Sequence, residues 1–517
     1  MKLNTKRTIL VGFAFFLISA FWHAYDATIP VILTNKFGMS QTWSGVIMAL
    51  DNILAVFMLP LFGALSDKCR SRHGKRTPFI VFGTVIAAVA LFGLSFVDSL
   101  QLRNIKDVSG LDDPAALAII YDTQADSALI TPEGDTFILG EEFTKEEFTA
   151  ITMKVTDSET GKQITNPDYT NYATPARQAL AAQRTAQNTV PLMLFVALLL
   201  MILVAMATFR SPAVALMPDV TMKPLRSKAY AIINLMGTAG GILVLVLGMV
   251  FATSAVQNSL MNYTVYYGVI AAIMLGALIV FLLTVREPKW AAQMQADSVK
   301  YGIEENAAET GEKRSLSAGE KKSLILILLS IALWYFGYNA VTSKYAVYAG
   351  NILDKDYNTT MLLAQAAAIV AYLPAGVVAS KIGRKKTILA GIVMLTTAFA
   401  VAAFMRASSP TWAMNAMFAL AGIAWATINV NSFPMVVEMC SGADIGKYTG
   451  FYYTASMSAQ IATPMLSGML MDKMGMTVLF PYAAIFVALA FATMFFVRHG
   501  DAKAAPKKGL EAFDSDD

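Results

Sequence analysis

Charged residues stand out inside, or at the ends of, stretches that are otherwise apolar. Asp26 stands in Trp22-His23-Ala24-Tyr25-Asp26, Asp51 is followed by Asn52, and Arg210, Asp219, Lys344 and Glu438 lie further along. At bilayer depth a charge costs roughly 2.5–3.5 kcal/mol on insertion scales, so a charge kept there is expected to have a function. A carboxyl group in a dry cavity holds a proton more readily than one in water, and can take it up and release it. Asp26 or Asp51 is therefore the expected proton carrier, with nothing to choose between them, and Arg210 is the expected counter-charge. Asp219, Glu438 and Lys344 sit nearer segment ends, where water and snorkelling also accommodate a charge. His23 is expected to be a hydrogen-bonded helix residue rather than a proton relay.

A second set of residues could bind a polyhydroxylated molecule, which needs planar hydrogen-bonding groups beside aromatic faces. The candidates are Asn52, Asn234, Trp334, Tyr335, Tyr338, Asn339, Gln365, Trp425, Asn429, Asn431, Tyr453 and Gln460. Asn and Gln within a membrane span need a partner, which is either a neighbouring helix or a ligand. For any one of them interhelical bonding suffices. The cluster of Trp334, Tyr335, Tyr338 and Asn339 with Trp425, Asn429 and Asn431 points instead to a cavity.

The elements that must position these groups follow from composition. Hydrophobic residues make up 56% of the chain, charged residues 15%, and the mean hydropathy is +0.54. Soluble chains carry about 25% charged residues, so this chain cannot build the polar surface that 517 residues would need in water. Twelve apolar runs are long enough to span a bilayer as helices: 8–34, 42–65, 79–99, 189–217, 229–254, 264–285, 322–349, 359–379, 387–406, 411–438, 449–471 and 477–498. With twelve spans the basic clusters fall on one side. They comprise Lys68, Arg70, Arg72, Lys75 and Arg76; Lys223, Arg226 and Lys228; Lys381, Arg384, Lys385 and Lys386; and both chain ends. Basic residues mark the cytoplasmic face, so both termini are expected inside a cell membrane crossed many times. Cys69 and Cys440 match no metal or redox spacing, and no metal or cofactor is expected.

Residues 286–321 read as a cytoplasmic linker between an N-terminal half, 1–285, and a C-terminal half, 322–498, with 499–517 as a tail. The linker mixes Glu304, Glu305, Glu309 and Glu312 with Lys300, Lys313 and Arg314. Residues 100–188 interrupt the first half on the expected exterior side and carry fourteen acidic against seven basic residues. Stretches 127–131, 136–139 and 151–156 read as strands, 132–135 and 158–161 as turns, and 174–189 as a helix capped by Thr174 before Pro175. A small α+β module is the expectation.

The halves repeat one another. Leu59-Pro60-Leu61-Phe62-Gly63-Ala64-Leu65-Ser66-Asp67 with Gly74-Lys75-Arg76 corresponds to Leu373-Pro374-Ala375-Gly376-Val377-Val378-Ala379-Ser380-Lys381 with Gly383-Arg384-Lys385. Ser211-Pro212 and Asp219 correspond to Ser432-Phe433-Pro434 and Glu438. Parallel six-helix repeats of this kind characterise the major facilitator architecture. The expected fold is all-α, with twelve transmembrane helices in two pseudo-repeated six-helix bundles and a small exterior insert between the third and fourth. Gly63, Asp67, Arg70, Gly74, Lys75, Arg76, Asp219, Lys381, Gly383, Arg384 and Glu438 are expected to form a cytoplasmic gate of ion pairs and helix-end contacts.

The loop from Gly63 through Ser66-Asp67-Lys68-Cys69-Arg70 and Gly74-Lys75-Arg76-Thr77-Pro78 to Ile80 resembles that of the plant sucrose–proton symporters and their animal relatives. More loosely, it resembles that of the bacterial glycoside–pentoside–hexuronide cation symporters. Ser211-Pro212-Ala213-Val214-Ala215-Leu216-Met217-Pro218-Asp219 is similar to the fourth-helix motif of the sucrose carriers. Those carriers have Arg where this chain has Val214 and Asp where it has Leu203; Arg210, one turn before Val214, could replace the missing charge. The resemblance implies a secondary transporter working by alternating access, with a sugar as small-molecule substrate, H+ as coupling cation, the lipid bilayer as surroundings and a monomer as working unit. An uncoupled facilitator or efflux carrier is the first rival, and a receptor or adhesion protein acting through the insert the second. No nucleic acid partner is expected. No Gly-x-Ser-x-Gly, His-Glu-x-x-His or phosphate loop occurs, so an enzyme is not expected.

Overall fold

The computed structural model describes residues 3–131, 136–156, 163–253, 258–301, 316–348, 357–406, 408–440, 444–474 and 476–501. The expected turns at 132–135 and 158–161, the charged residues at 304–314 and most of the tail lie outside these. In chain order come α1 (Thr5–Asn35), α2 (Gln41–Asp67) and α3 (Thr77–Asn104), then the insert. The insert holds α4 (Pro114–Gln124), β1 (Ala128–Ile130), β2 (Thr136–Ile138), α5 (Leu139–Glu142), α6 (Lys145–Thr149), β3 (Lys154–Thr156), β4 (Gln163–Thr165) and α7 (Thr174–Gln187). The first half resumes with α8 (Val190–Asp219), α9 (Arg226–Val250) and α10 (Thr264–Thr284), and α11 (Glu287–Lys300) follows. The second half comprises α12 (Ala318–Tyr348), α13 (Tyr357–Ile382), α14 (Arg384–Ala402), α15 (Thr411–Val437), α16 (Ile445–Met474) and α17 (Leu479–Phe495).

Twelve long helices therefore stand where twelve apolar runs were read. Among the described residues ten are long and apolar enough to cross a membrane by length and hydropathy; α17 is shorter, and α16 is more polar. Large apolar side chains such as Phe57, Phe82, Leu283 and Trp412 stand exposed on the outer faces. Hydrocarbon can cover such a surface and water cannot. The helices form two bundles of six. Within the first, α1 packs on α9 and α3 on α8; within the second, α13 packs on α15 and α12 on α17. The bundles meet chiefly along α2 against α16 and α9 against α13. A Cβ at Gly63 of α2 would collide with the carbonyl of Gly446 on α16, and one at Gly446 with that of Gly63. The missing side chains let these two backbones touch at the end of the molecule where both termini lie, called here the terminal end.

The insert sits at the opposite end and has its own core of Ile105, Leu117, Ile120, Phe137, Phe148, Tyr169 and Leu180 among others. Its strands form two antiparallel hairpins, β1–β2 and β3–β4. Thr174 is not the cap of α7. A π-helical turn, Tyr169–Ala173, runs directly into the helix, so Ala173 holds the cap position and the Thr174 hydroxyl donates to the Tyr169 carbonyl instead. The insert is fastened to the first bundle through α7: Gln178 donates to Asn35 Oδ1 at 2.7 Å, and Gln101 to Thr185 Oγ1 at 2.9 Å. Beneath it, Lys36 and Asp98 form a fully buried ion pair at 2.6 Å, with Lys36 also donating to the Met261 carbonyl.

Candidate functional site

A cavity of about 550 Å³ lies between the bundles. Its walls come from α1 (Phe15, Ser19, His23), α9 (Asn234, Thr238), α12 (Tyr338, Thr342), α13 (Gln365, Tyr372) and α15 (Trp425). Each lining stretch lies in the middle of its helix or toward the insert end. Tyr338 and Trp425 stack at 3.6 Å with their planes 5° apart, and Tyr335 meets Trp425 edge-on. Polar lining groups with a flat aromatic wall suit a ligand having hydroxyls on its rim and C–H faces on its sides.

Four of the expected cavity residues, Asn234, Tyr338, Gln365 and Trp425, line this space. The other eight do not line it. Trp334 and Asn431 are fully buried in packed helix, and Asn431 donates to the Thr427 carbonyl one turn back. Gln460 donates to the Ser456 carbonyl at 3.5 Å, and the Asn429 carbonyl accepts from the Ser432 hydroxyl. Asn52 and Asn339 are half-buried.

Asp26, Asp51 and Arg210 converge from α1, α2 and α8, close enough for both carboxylates to feel the guanidinium and for Asp26 to feel Asp51. Arg210 lies over the ring of Tyr453 at 4.8 Å and that of Trp22 at 5.7 Å. It thereby links a helix of each bundle. Val214, where the sucrose carriers have Arg, is buried in packed helix, as is Leu203. Below the cavity, Tyr230, Phe433, Tyr452 and Tyr453 form a chain of ring contacts at 5.1–5.5 Å across the two bundles.

The terminal end is closed by two polar networks. In the first bundle Arg76 is fully buried and donates to Asp219 at 2.7 Å, Asp67 at 2.5 Å and Ser66 at 2.5 Å. Asp67 also accepts the backbone N–H groups of Gly446 and Lys447, both at 2.9 Å, so it caps α16 of the other bundle. Carboxylates are favoured at a helix N-terminus. In the second bundle Arg384 donates to Glu438 at 2.9 Å, and across to Ser227 Oγ at 2.9 Å and the Lys223 carbonyl. Glu438 also pairs with Arg226 at 3.5 Å. Lys75 stands 3.8 Å from Asp219. Gly74 and Gly383 take φ of 113° and 100°, which lets the chain turn into α3 and α14. Arg70 and Lys381 are exposed, outside both networks.

Sequence reasoning missed three participants. Glu287 on α11 accepts from the backbone N–H groups of Arg76 and Thr77 and from the Thr77 hydroxyl. Asp501 does the same for α14, accepting from the N–H groups of Arg384 and Lys385. Lys36 and Asp98 form the third feature. Each stands at a span end, where a charge looks interfacial until the fold pairs them.

Two family models match the chain. The one described as Major Facilitator Superfamily covers residues 354–514, and the one described as MFS/sugar transport protein covers residues 10–101. Sucrose transport protein SUC4 of Arabidopsis thaliana is 36% identical over 57 residues, which is 11% of each chain. Proton-associated sugar transporter A of Homo sapiens is 36% identical over 108 residues, 19% of this chain and 14% of that one. The matched segments thus span only a small part of the curated relatives. In fold the likeness extends over nearly the whole chain. The proton:xylose symporter XylE bound to 6-bromo-6-deoxy-D-glucose superposes with a TM-score of 0.55 at 15% identity, over 97% of this chain and 96% of that one. FucP in the outward conformation gives a TM-score of 0.61 at 13% identity, over 95% and 98%. Sequence matches fall in both halves and the fold matches end to end, so the chain has the major facilitator fold and resembles that superfamily's sugar symporters.

Proposed function

We propose that the chain is a secondary transporter that carries a sugar together with a proton by alternating access. The observation that carries this reading is the cavity between the two bundles, walled by Asn234, Gln365 and the Tyr338–Trp425 stack and sealed at the terminal end by Asp67 and Arg384. A compartment closed at one end and built from both halves is what rocking of one half against the other can empty to the opposite side. Asp26 or Asp51 takes the proton, and Arg210 supplies the counter-charge. The basic loops support a cytoplasmic terminal end and an exterior insert. One chain contains the whole pathway, so a monomer suffices.

The test is uptake by the purified full chain in proteoliposomes under an imposed proton gradient, with a panel of monosaccharides, oligosaccharides and glycosides. Gradient-driven accumulation of at least one sugar is expected. Uptake indifferent to pH gradient, membrane potential and sodium would sink the coupling. Asp26→Asn and Asp51→Asn separate a symporter from a facilitator or efflux carrier, since an uncoupled carrier would keep working in both. The separate core of the insert favours one further reading, a receptor acting through that module. Deletion of 101–186 tests it, because transport surviving the deletion makes the insert accessory.

A further inference from the structure

We propose that His23 is the atom-level link between proton and substrate: its Nε2 is the protonation site that the bound sugar touches, and Asp26 balances the resulting charge. The inference rests on the symport reading above and revises its proton carrier: the coupled proton sits on His23, and Asp26 stays ionised beside it.

His23 Nδ1 lies 2.8 Å from the carbonyl oxygen of Ser19. A carbonyl oxygen only accepts, so Nδ1 carries the hydrogen in both protonation states of the ring. That leaves Nε2 as the ring nitrogen without a protein partner among the described residues. His23 is exposed along the cavity wall, in the company of Asn234, Thr238, Thr342 and Gln365. The imidazole lies flush against α9, where a Cβ on Gly241 would come within 2.5 Å of its Cε1. The ring, whose Nε2 would lie 2.7 Å from that Cβ, is thus seated by one fixed hydrogen bond and one missing side chain, beside the space that the substrate is proposed to occupy.

His23 precedes Asp26 by three residues, about one turn of α1, so the two share a face. Asp26 on α1 feels the imidazole, and Asp26 in turn feels Asp51 on α2 and Arg210 on α8. The α9 wall offers Asn234, Thr238 and Gly241, none of which titrates. Tyr338 and Tyr372 face from α12 and α13. With Nε2 unprotonated, the cavity presents an acceptor at this point. With Nε2 protonated, it presents a donor and a positive charge beside Asp26. A hydroxyl, ring or carboxylate oxygen of a sugar accepts from the protonated form, so proton and sugar each favour binding of the other by the same factor. The proton arrives from water on the side the cavity faces and leaves as a hydrated proton on the other. Only the Nε2–H bond forms and breaks.

The experiment uses the full chain and a sugar from the uptake screen. Native protein in detergent should take up a proton when that sugar is added, read with a pH indicator. His23→Gln keeps a hydrogen-bonding side chain but cannot titrate. It is expected to take up no proton and to lose gradient-driven accumulation by about 5- to 150-fold, the usual span of coupling between two ligands. Sugar-for-sugar exchange should fall by much less and become independent of pH. Gly241→Ala keeps the imidazole but crowds it, and should shift the pH midpoint of exchange. Native-like proton uptake and accumulation in His23→Gln overturns the proposal. So does a residual exchange that keeps the native pH profile, or an unmoved midpoint in Gly241→Ala. If the native chain accumulates no sugar under any proton gradient, the symport reading itself falls, and that outcome is told apart by needing no variant.

Discussion

The two halves close the terminal end with the same parts placed differently. In the first half Arg76 spends its donors inside its own bundle, on Asp219, Asp67 and Ser66, and it is Asp67 that reaches across to α16. In the second half the arginine itself reaches across, from Arg384 to Ser227 and Lys223. The residue equivalent to Asp67 is Lys381, which is exposed and outside the network. Both halves also borrow an acid from the segment after their sixth helix, Glu287 in one and Asp501 in the other. A duplicated unit has thus kept its buried arginine and its capping acid, while the interdomain lock has moved from a carboxylate in one copy to a guanidinium in the other.

The largest effect should come from removing Arg76. Its loss leaves Asp67 and Asp219 facing each other in a buried site, and breaking such a network from one side costs about 3–5 kcal/mol. Arg76→Gln is expected to lower the unfolding temperature of the purified protein sharply. Arg384→Gln also strips Glu438 of a partner, but Arg226 remains at 3.5 Å, so its stability loss should be smaller and its opening of the terminal end larger. Equal stability losses would mean that the two arginines play one role after all.

Much of this was legible in the sequence because the repeat carries it. Leu59-Pro60 against Leu373-Pro374, and Ser211-Pro212 against Phe433-Pro434, mark paired helices whatever the fold. Arg76, Asp219, Arg384 and Glu438 are charges at helix ends with equivalents in both copies. The repeat could not reveal partners that lie outside it. Glu287 belongs to α11, in a segment that reads as linker, and Asp501 to the tail. Asn429 and Asn431 are both amides on α15, as Trp425 is an aromatic there, and residue type cannot tell which faces the cavity. Only packing places Trp425 in the wall and Asn431 against its own helix.

The lock itself is sharpened by Asp67→Asn set beside Lys381→Ala. A carboxylate on a helix N-terminus is worth about 0.3–1 kcal/mol, and up to about 2 kcal/mol where partly buried. Asp67→Asn should therefore shift the closed terminal end toward open by roughly thirtyfold at most, since about 1.4 kcal/mol is a factor of ten. The two native cysteines report this directly. Cys440 is buried, with its thiol donating to the Val437 carbonyl, whereas Cys69 is partly accessible. Maleimide labelling of Cys440 should rise in Asp67→Asn and stay at the native rate in Lys381→Ala, with Cys69 as the reference. A rise in Lys381→Ala would return Lys381 to the gate.

The smallest effect concerns the two capping acids. Burial pushes the Glu287 carboxyl above the usual glutamate range, against the pull of its hydrogen bonds from Arg76 and Thr77. A folded state that binds its proton more tightly than the unfolded chain gains stability as pH falls and loses it as pH rises through the raised value. The native protein minus Glu287→Gln should therefore show an unfolding temperature that declines as pH is raised from the ordinary glutamate range upward, with no such slope in the variant. Asp501→Asn serves as the second-half counterpart. Its carboxylate also caps a helix, but Asp501 stands in the non-helical stretch after α17 rather than on a helix such as α11. Its removal should loosen α14 locally, with faster amide exchange at Arg384 and Lys385 and little change in the unfolding temperature. A pH slope that survives in Glu287→Gln and vanishes in Asp501→Asn would assign the titration to the wrong half and reverse the comparison.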